Sequence, residues 1–209
     1  MDSTYSTLEN DDLLTAYEAA RQPQLRVYEP PHRVIVLGAA GDAALDVHRG
    51  EAAAAGIDVR RRRGGGGTVL LGPGQVVVAL VTEVDHPYRN REYARAINGW
   101  LIDALHGAGA RGIEQRGISD LAIADRKIAG TSVFRRRRIL FYQASLLVDN
   151  DTAEFERFLA FPRQVPDYRR GRAHAAFCTT LAAAGYPHRA RQVAELLHTA
   201  VAARIGGLH

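Results

Sequence analysis

The sequence predicts an α+β fold, with a mixed, largely antiparallel sheet covered by helices. Three observations predict it. β-rich runs follow one another in pairs, helical segments are inserted between the pairs and gathered at the C-terminal end, and residues 75–82 (QVVVALVT) form an apolar β-branched run typical of a central strand. A doubly wound parallel sheet would instead show strands and helices alternating throughout.

The first third of the chain combines helical and strand patterns. Leu13, Leu14 and Tyr17 lie at helical spacing, and Pro30-Pro31 separates two β-rich runs. Gly56 follows an alanine-rich stretch as a helix stop signal. We therefore expect an amphipathic helix over 8–20, an antiparallel strand pair over 25–29 and 33–37, a helix over 42–55 and a strand over 57–61.

The rest of the chain continues this pattern. Tyr93, Ile97 and Leu101 share one face of a predicted helix over 90–106, which should pack on the sheet. Four arginines at 135–138 fall where a hairpin turn is expected. The remaining predicted elements are strands over 120–124, 127–134 and 139–148, and helices near 152–160, 172–184 and 188–205.

Length and composition bound the class of protein. With 209 residues, 46% hydrophobic and 24% charged, the chain fits one globular domain spanning 1–209, without a C-terminal accessory domain. No apolar run approaches the roughly 20 residues of a membrane span, and the polar start is unlike a signal peptide, so we expect a soluble, cytoplasmic protein. The single cysteine, Cys178, excludes an internal disulfide and a multi-thiolate metal site.

Lys127 is the only lysine among 27 basic side chains. Lysine ends in a compact ammonium on a thin stem, whereas arginine is planar and bulky, so the two are not interchangeable in a narrow site. Lys127 is therefore a candidate for ligand contact, although a single surviving lysine could also arise by chance.

A glycine-rich segment, Arg60-Arg61-Arg62-Arg63-Gly64-Gly65-Gly66-Gly67-Thr68-Val69, is the strongest local signal. Consecutive glycines let backbone N–H groups approach anionic oxygens, and neighbouring arginines add donors for phosphate. The segment is neither a Walker A loop nor a dinucleotide fingerprint, since no lysine follows it and the next element is a strand. A flexible hairpin with solvated arginines is an equally weighted alternative.

Several motifs together resemble the lipoate–protein ligase family. They are the arginine–glycine segment, Asp120-Leu121, the run Asp125-Arg126-Lys127-Ile128-Ala129-Gly130-Thr131-Ser132, the run Ser145-Leu146-Leu147-Val148-Asp149, and RRGRAHAAF near the end. The resemblance covers about residues 26–181, and Lys127 falls on the family's essential lysine.

This resemblance implies the fold shared by biotin ligases, lipoate ligases and octanoyltransferases. It implies that ATP, accompanied by Mg²⁺, and lipoate or octanoate form an acyl-adenylate, whose acyl group passes to a lysine of a lipoyl carrier protein. Lys127 would stabilise the carboxylate and the α-phosphate, Arg62 would hold phosphate, and Asp120 would orient the lysine or the nucleotide. The other implied substrate-binding residues are Gly65, Gly66, Gly67, Thr68, Val69, Leu71, Gly130, Gln143 and Ser145.

Departures from the family pattern leave alternatives open. Gly64 stands where the family has serine, and Leu71 stands where ligases usually carry a histidine. An octanoyl or lipoyl transferase using a carrier thioester, or a non-adenylating carrier-binding relative, therefore remains the alternative. Cys178 is expected to be a buried structural thiol, but His174 lies four residues earlier on a predicted helical face, so a Cys–His pair stays open. A separate accessory subunit is a further possible partner.

The arginine runs at 60–63 and 135–138 invite a nucleic-acid interpretation. Aromatic residues are not interleaved with them and the net charge is only +4, so we expect no nucleic-acid partner. We expect arginines 135–138 to help dock an acidic carrier instead. The histidines show no metal-binding spacing, so a metal site within the protein is not expected.

Overall fold

The computed structural model describes residues 9–86 and 88–208, which form two sheets with helices around them. This arrangement confirms the predicted α+β class with a mixed, mostly antiparallel sheet, because six of the seven pairings between the described strands are antiparallel and only Val34–Leu37 and Asp58–Arg61 run parallel. The strands are β1 (Gln24–Tyr28), β2 (Val34–Leu37), β3 (Asp58–Arg61), β4 (Val69–Leu71), β5 (Gln75–Glu83), β6 (Ile113–Arg116), β7 (Asp120–Ile123), β8 (Arg126–Arg136) and β9 (Ile139–Leu147). The six-stranded sheet has the order β1-β5-β9-β8-β7-β6 and the smaller sheet the order β3-β2-β4.

Seven α-helices are defined in the described part of the chain. They are α1 (Asp12–Ala20), α2 (Ala43–Asp46), α3 (Arg49–Ala54), α4 (Asn90–Gly107), α5 (Glu154–Phe158), α6 (His174–Phe177) and α7 (Ala190–Ala202). A short 3-10 turn, Asp167–Arg169, precedes α6. Within the described ranges, no helix is both long enough and apolar enough to cross a membrane.

Strand β5 is apolar on both faces because both faces are covered. Val76, Val78 and Leu80 pack in the core that contains the inner faces of α4 and α7. Ala79 and Val81 point to the opposite face and pack against α1. Successive side chains of a strand alternate between faces, so a strand covered on both sides becomes a continuous apolar run.

Helix α4 packs on the large sheet through the face predicted from its spacing. Tyr93, Ile97 and Leu101 are buried in the main core. The buried Asn98 on the same helix accepts a hydrogen bond of 2.6 Å from the Tyr142 hydroxyl of β9. A buried amide with a matched partner fixes the helix against the sheet without leaving an unpaired polar group.

The predicted strand pair over 25–29 and 33–37 is wrong. β1 pairs with β5 in the large sheet, whereas β2 pairs with β3 and β4 in the small sheet. The Pro30-Pro31 segment therefore carries the chain from one sheet to the other instead of closing a hairpin. Two short strands, β4 and β6, were not predicted.

The predicted helices differ most from the observed ones where the chain forms β-bridges or hydrogen bonds with distant segments. The predicted helix over 42–55 divides into α2 and α3, because Val47 forms an isolated bridge with Leu159. The predicted helix over 172–184 is wrong beyond α6, since the Thr179 amide donates to the Lys127 carbonyl at 2.9 Å. The helix predicted over 8–20 corresponds to α1, which begins at Asp12 and ends at Ala20. Residue 8 lies outside the described residues.

Candidate active site

A cavity of about 1290 Å³ lies between the two sheets. Its floor is a row of side chains across β5, β9 and β8, where Val77 pairs with Ser145 and Ser145 pairs with Gly130. Its opposite wall comes from the small sheet. The cavity contains every residue predicted for the site, namely Arg62, Gly65, Gly66, Gly67, Thr68, Val69, Leu71, Asp120, Lys127, Gly130, Gln143 and Ser145.

The lone lysine reaches this cavity because β8 contains a bulge. Ala122 pairs with Lys127 and Leu121 pairs with Ala129, so Ile128 is an extra residue on β8. An extra residue shifts the alternation of side chains and re-aims them. Lys127 and Gly130 consequently lie on the same face, and a Cβ atom added at Gly130 would lie 3.0 Å from the lysine Nζ.

Asp120 pairs with the Lys127 ammonium. The distance from Lys127 Nζ to Asp120 Oδ1 is 2.7 Å, and the two side chains are only 28% and 15% exposed. A carboxylate at this distance orients the ammonium inside the cavity. The two residues that the sequence singled out for the lysine site are therefore brought together directly.

Tyr168 is a member of the site that the sequence did not reveal. Its hydroxyl donates a 2.9 Å hydrogen bond to Asp120 Oδ2, the oxygen not paired with Lys127. Burial and the Asp120 charge raise the pKa of Tyr168, so the hydroxyl stays protonated. The ring also packs on Phe177 with 5.0 Å between ring centroids, and the Arg116 guanidinium lies over it. The contact joins residues 48 positions apart, so no local pattern could indicate it.

Arg62 holds the glycine segment. Its guanidinium donates to the carbonyls of Gly65 and Gly67 at 2.8 and 2.7 Å and to the Ser132 hydroxyl at 3.1 Å. The side chain is 7% exposed, and burial lowers its pKa to about 10. Because loop carbonyls occupy these donors, the structure favours loop positioning for Arg62, and the predicted phosphate contact stays a prediction.

The glycine segment leaves backbone donors available at the cavity. The amides of Gly65, Gly66, Gly67 and Thr68 donate to no other described residue, whereas Arg62 engages two of the segment's carbonyls. Gly66 has φ +92°, a conformation that favours glycine. Unpaired N–H groups on a glycine-rich turn form a site suited to anionic oxygens.

The Ser132 side chain explains why position 64 is a glycine. A Cβ atom at position 64 would collide with the Ser132 hydroxyl, which itself donates to the Gly65 carbonyl at 2.9 Å. The hydroxyl from β8 therefore occupies the space that a side chain at 64 would need. This accounts physically for glycine at the position where the family resemblance led us to expect serine.

Cys178 is buried, with 7% exposure, at the inner side of the cavity. Desolvation raises the pKa of its thiol, and the nearby Lys127 charge lowers it only in part. His174 and Cys178 are joined by a backbone hydrogen bond of 2.7 Å, while the His174 imidazole lies 3.5 Å from a Glu156 carboxylate oxygen. These observations favour the structural thiol over the Cys–His pair.

The two arginine runs are largely paired with acidic residues of the same chain. Arg60 and Arg63 lie 3.0 and 2.7 Å from Glu9 and Asp11, respectively. Arg138 lies 2.7 Å from Asp85, Arg136 pairs with Glu18, and Arg135 stacks on Tyr93. These pairings reduce the basic surface available to a nucleic acid. Across the described ranges, no group of three or more metal-ligating side chains could hold a metal ion.

Solved structures with the same fold include three lipoate ligase structures. A bipartite lipoate protein ligase from Thermoplasma acidophilum, studied with its E2 lipoyl domain, has a TM-score of 0.78 and 19% identity, covering 93% of this chain and 76% of that chain. A T. acidophilum protein assigned as a lipoate protein ligase, with bound lipoic acid, has a TM-score of 0.77 and 18% identity, covering 94% and 78%. Lipoate-protein ligase A bound with ATP has a TM-score of 0.74 and 20% identity, covering 93% and 78%.

The sequence comparison identifies the family. No curated protein matches the chain. The profile of the family described as "Lipoyl protein ligase A/B catalytic domain" matches residues 4–202, nearly the whole chain and all of the cavity residues named above. With its fold and its lysine–aspartate pair beside a glycine-rich segment, this chain belongs to the lipoyl protein ligase A/B catalytic domain family.

Proposed function

We propose that the chain is an ATP-dependent lipoate–protein ligase. The carboxylate of lipoate attacks the α-phosphate of ATP, which forms lipoyl-AMP and releases pyrophosphate. The ε-amine of a lysine on a lipoyl carrier then attacks the acyl carbonyl, an amide bond forms, AMP leaves and the amine loses a proton to solvent. Mg²⁺ enters with ATP, and the carrier is the protein partner.

The observation that carries this proposal is the Lys127 ammonium inside the cavity, held at 2.7 Å by Asp120. Both substrates bring negative charge to the point where they react. A fixed, partly buried ammonium stabilises the charge that develops on the carboxylate and phosphate oxygens. Asp120 holds the ammonium in place until these oxygens arrive, and Tyr168 holds Asp120.

The glycine segment supports the same assignment. The amides of Gly65–Thr68 donate to no other described residue and are therefore available to phosphate or acyl oxygens, while Arg62 holds the segment through its carbonyls. The apolar side chains Val36, Leu71 and Val77 line the cavity between the sheets and suit an aliphatic chain.

The size of the cavity also favours two substrates over one. Pockets for single small molecules span roughly 300–1,000 Å³, whereas this cavity measures about 1290 Å³. The structural neighbours bind lipoic acid in one case and ATP in another, which supports a shared site for both substrates. The bipartite neighbour supports a separate second subunit, and a cytoplasmic location stays a prediction.

The transferase alternative requires a nucleophile that can carry the acyl group from a thioester. Cys178 is the only cysteine, and burial raises its thiol pKa, so little thiolate is present at neutral pH. This favours the ligase. The alternative of a carrier-binding relative without adenylation is separated from the ligase only by a measurement of ATP dependence.

The test is a mass measurement on an apo lipoyl domain incubated with the protein, lipoate, ATP and Mg²⁺. We expect a mass gain of one lipoyl group, which disappears when ATP is omitted or when Lys127→Ala replaces the parental protein. Equal modification from an octanoyl-carrier thioester without ATP would establish the transferase instead. No modification from either donor would leave the carrier-binding relative as the remaining function.

A further inference from the structure

An exposed apolar ledge stands at the mouth of the cavity. Ile118, in the turn between β6 and β7, is 72% exposed, and Val165, on the segment before the 3-10 turn, is 40% exposed. The two segments touch, because a Cβ atom at Gly117 would lie 3.4 Å from the Pro166 side chain. We call Gly117, Ile118, Val165 and Pro166 the ledge; all four line the rim of the cavity.

Two arginines accompany the ledge at the same rim. Arg91, at the start of α4, and Arg170, after the 3-10 turn, are exposed and line the mouth of the cavity. Within the ranges that the structure describes, neither side chain forms an ion pair. Asp167 is an exposed acid at this rim, so the two arginines leave it with a net positive charge.

The arginine hairpin at 135–138 offers less positive charge to a partner. Arg136 and Arg138 pair with carboxylates of the same chain, and the Arg135 side chain donates to Asn90 at 2.9 Å. A partner would have to displace these contacts before it could use the charges. The rim arginines carry no such cost, so the rim is better suited to an acidic surface than the hairpin predicted from the sequence.

We propose that the ledge, with Arg91 and Arg170, docks the acceptor, a folded protein domain whose surface around the target lysine is acidic. The inference rests on the proposed ligase function, because the second step brings an amine on another protein to the acyl carbon near Lys127. That amine enters through the mouth of the cavity. Exposed apolar side chains supply contact area at such a mouth, and unpaired arginines orient a partner of opposite charge.

Kinetics of carrier modification test the surface. An apo lipoyl domain with a net negative charge is the probe, and Arg91→Glu/Arg170→Glu and Ile118→Ser are the variants. We expect the charge reversal to raise the KM for the domain on the order of tenfold at low salt, with a smaller effect at high salt. Ile118→Ser should raise the KM at both salt concentrations, because apolar contact is not screened.

Arg137→Glu is the matched control, since this arginine is also exposed but belongs to the hairpin turn and does not line the cavity. It should leave the KM for the domain within about twofold of the parental value. Pyrophosphate release from ATP and lipoate without the domain is measured for every variant, so that an effect of the charge reversal on the adenylation step is separated from its effect on the KM for the domain. A parental KM in the rim variants, or an equal loss in Arg137→Glu, would overturn the docking surface.

Failure of the underlying function would look different. If the parental protein releases no pyrophosphate, the ligase proposal fails, and the docking surface is then tested by direct binding of the apo lipoyl domain to parental and rim-variant protein. Equal binding to both would refute the surface. Preferential binding of a short DNA duplex to the parental rim would assign these arginines to a nucleic acid and would also refute it.

Discussion

Substituting Gly130 by alanine tests whether the position of the Lys127 ammonium controls adenylate formation. The added Cβ atom would lie 3.0 Å from Nζ and 3.1 Å from Cε of Lys127, whereas ordinary contacts begin at 3.4 Å. The end of the lysine side chain must therefore move by a few tenths of an ångström, although Asp120 holds its ammonium at 2.7 Å. The substitution displaces the charge without removing it.

The size of the effect follows from that displacement. A misplacement of about 1 Å at a reacting centre costs on the order of a hundredfold in rate, so a shift of a few tenths of an ångström should cost roughly tenfold, or about 1.4 kcal/mol in the barrier. Stability should change little, because the atom that must move is the end of a flexible side chain. The assay is pyrophosphate release from ATP and lipoate without carrier, with thermal unfolding measured in parallel.

Gly99→Ala is the matched control, because Gly99 lies in α4 and an added Cβ meets nothing within 4 Å. It should leave the rate unchanged and raise stability by about 0.5–1 kcal/mol, the ordinary benefit of alanine in a helix. If Gly130→Ala releases pyrophosphate within twofold of the parental rate at unchanged stability, the geometry of the ammonium does not limit the reaction and the reasoning is refuted.

Four further predictions concern the same region. Lys127→Ala should raise the adenylation barrier by roughly 3–4 kcal/mol. Lys127→Arg should also lose most of the adenylation rate, because a planar guanidinium replaces a compact ammonium. A parental rate in the arginine variant would exclude a role for the ammonium. Gly64→Ser should lower the unfolding temperature, because the new side chain collides with Ser132. Adding Ser132→Ala should recover part of that loss. If the changes in unfolding temperature of the two single variants simply add in the double variant, the two positions do not share space. Cys178→Ser should keep most activity while losing about 1–3 kcal/mol of stability through a buried hydroxyl, and complete inactivation of a stably folded variant would favour the transferase. Burial lowers the pKa of His174 below its usual 6.5, so the unfolded state binds the proton more readily than the folded state. The free energy of unfolding should therefore fall as the pH drops below about 6.5. If the pH dependence of the free energy of unfolding is unchanged in His174→Gln, this histidine is not the cause.

Local patterns were sufficient for the strongest elements and for the choice of candidate site residues. Strand β5 could be read from its unbroken apolar run and α4 from its helical spacing, because each pattern records which faces are buried. Lys127 could be singled out because the chain contains no other lysine. The glycine segment is recognisable because its conformational freedom belongs to the residues themselves.

Pairing between distant residues was decided by the tertiary structure. Nothing local distinguishes a hairpin of β1 with β2 from the observed pairing of β1 with β5, since a strand's own sequence specifies its faces but not its neighbour. The same limit applies to the helix predicted beyond α6, where the bridge to Lys127 extends the backbone instead.

By itself, then, the sequence determined the α+β class, the candidate lysine and glycine segment, and the resemblance to a ligase family. Only the tertiary structure decided that Ile128 forms the bulge that aims Lys127 into the cavity and that Tyr168 holds Asp120. It also showed that Arg62 donates to the carbonyls of its own loop, while its predicted phosphate contact stays a prediction. The physical reason is that such contacts join distant segments: Tyr168 lies 48 positions from Asp120, and the Ser132 hydroxyl that also holds Arg62 lies 70 positions from it. These partners meet only once both sheets have closed around the cavity.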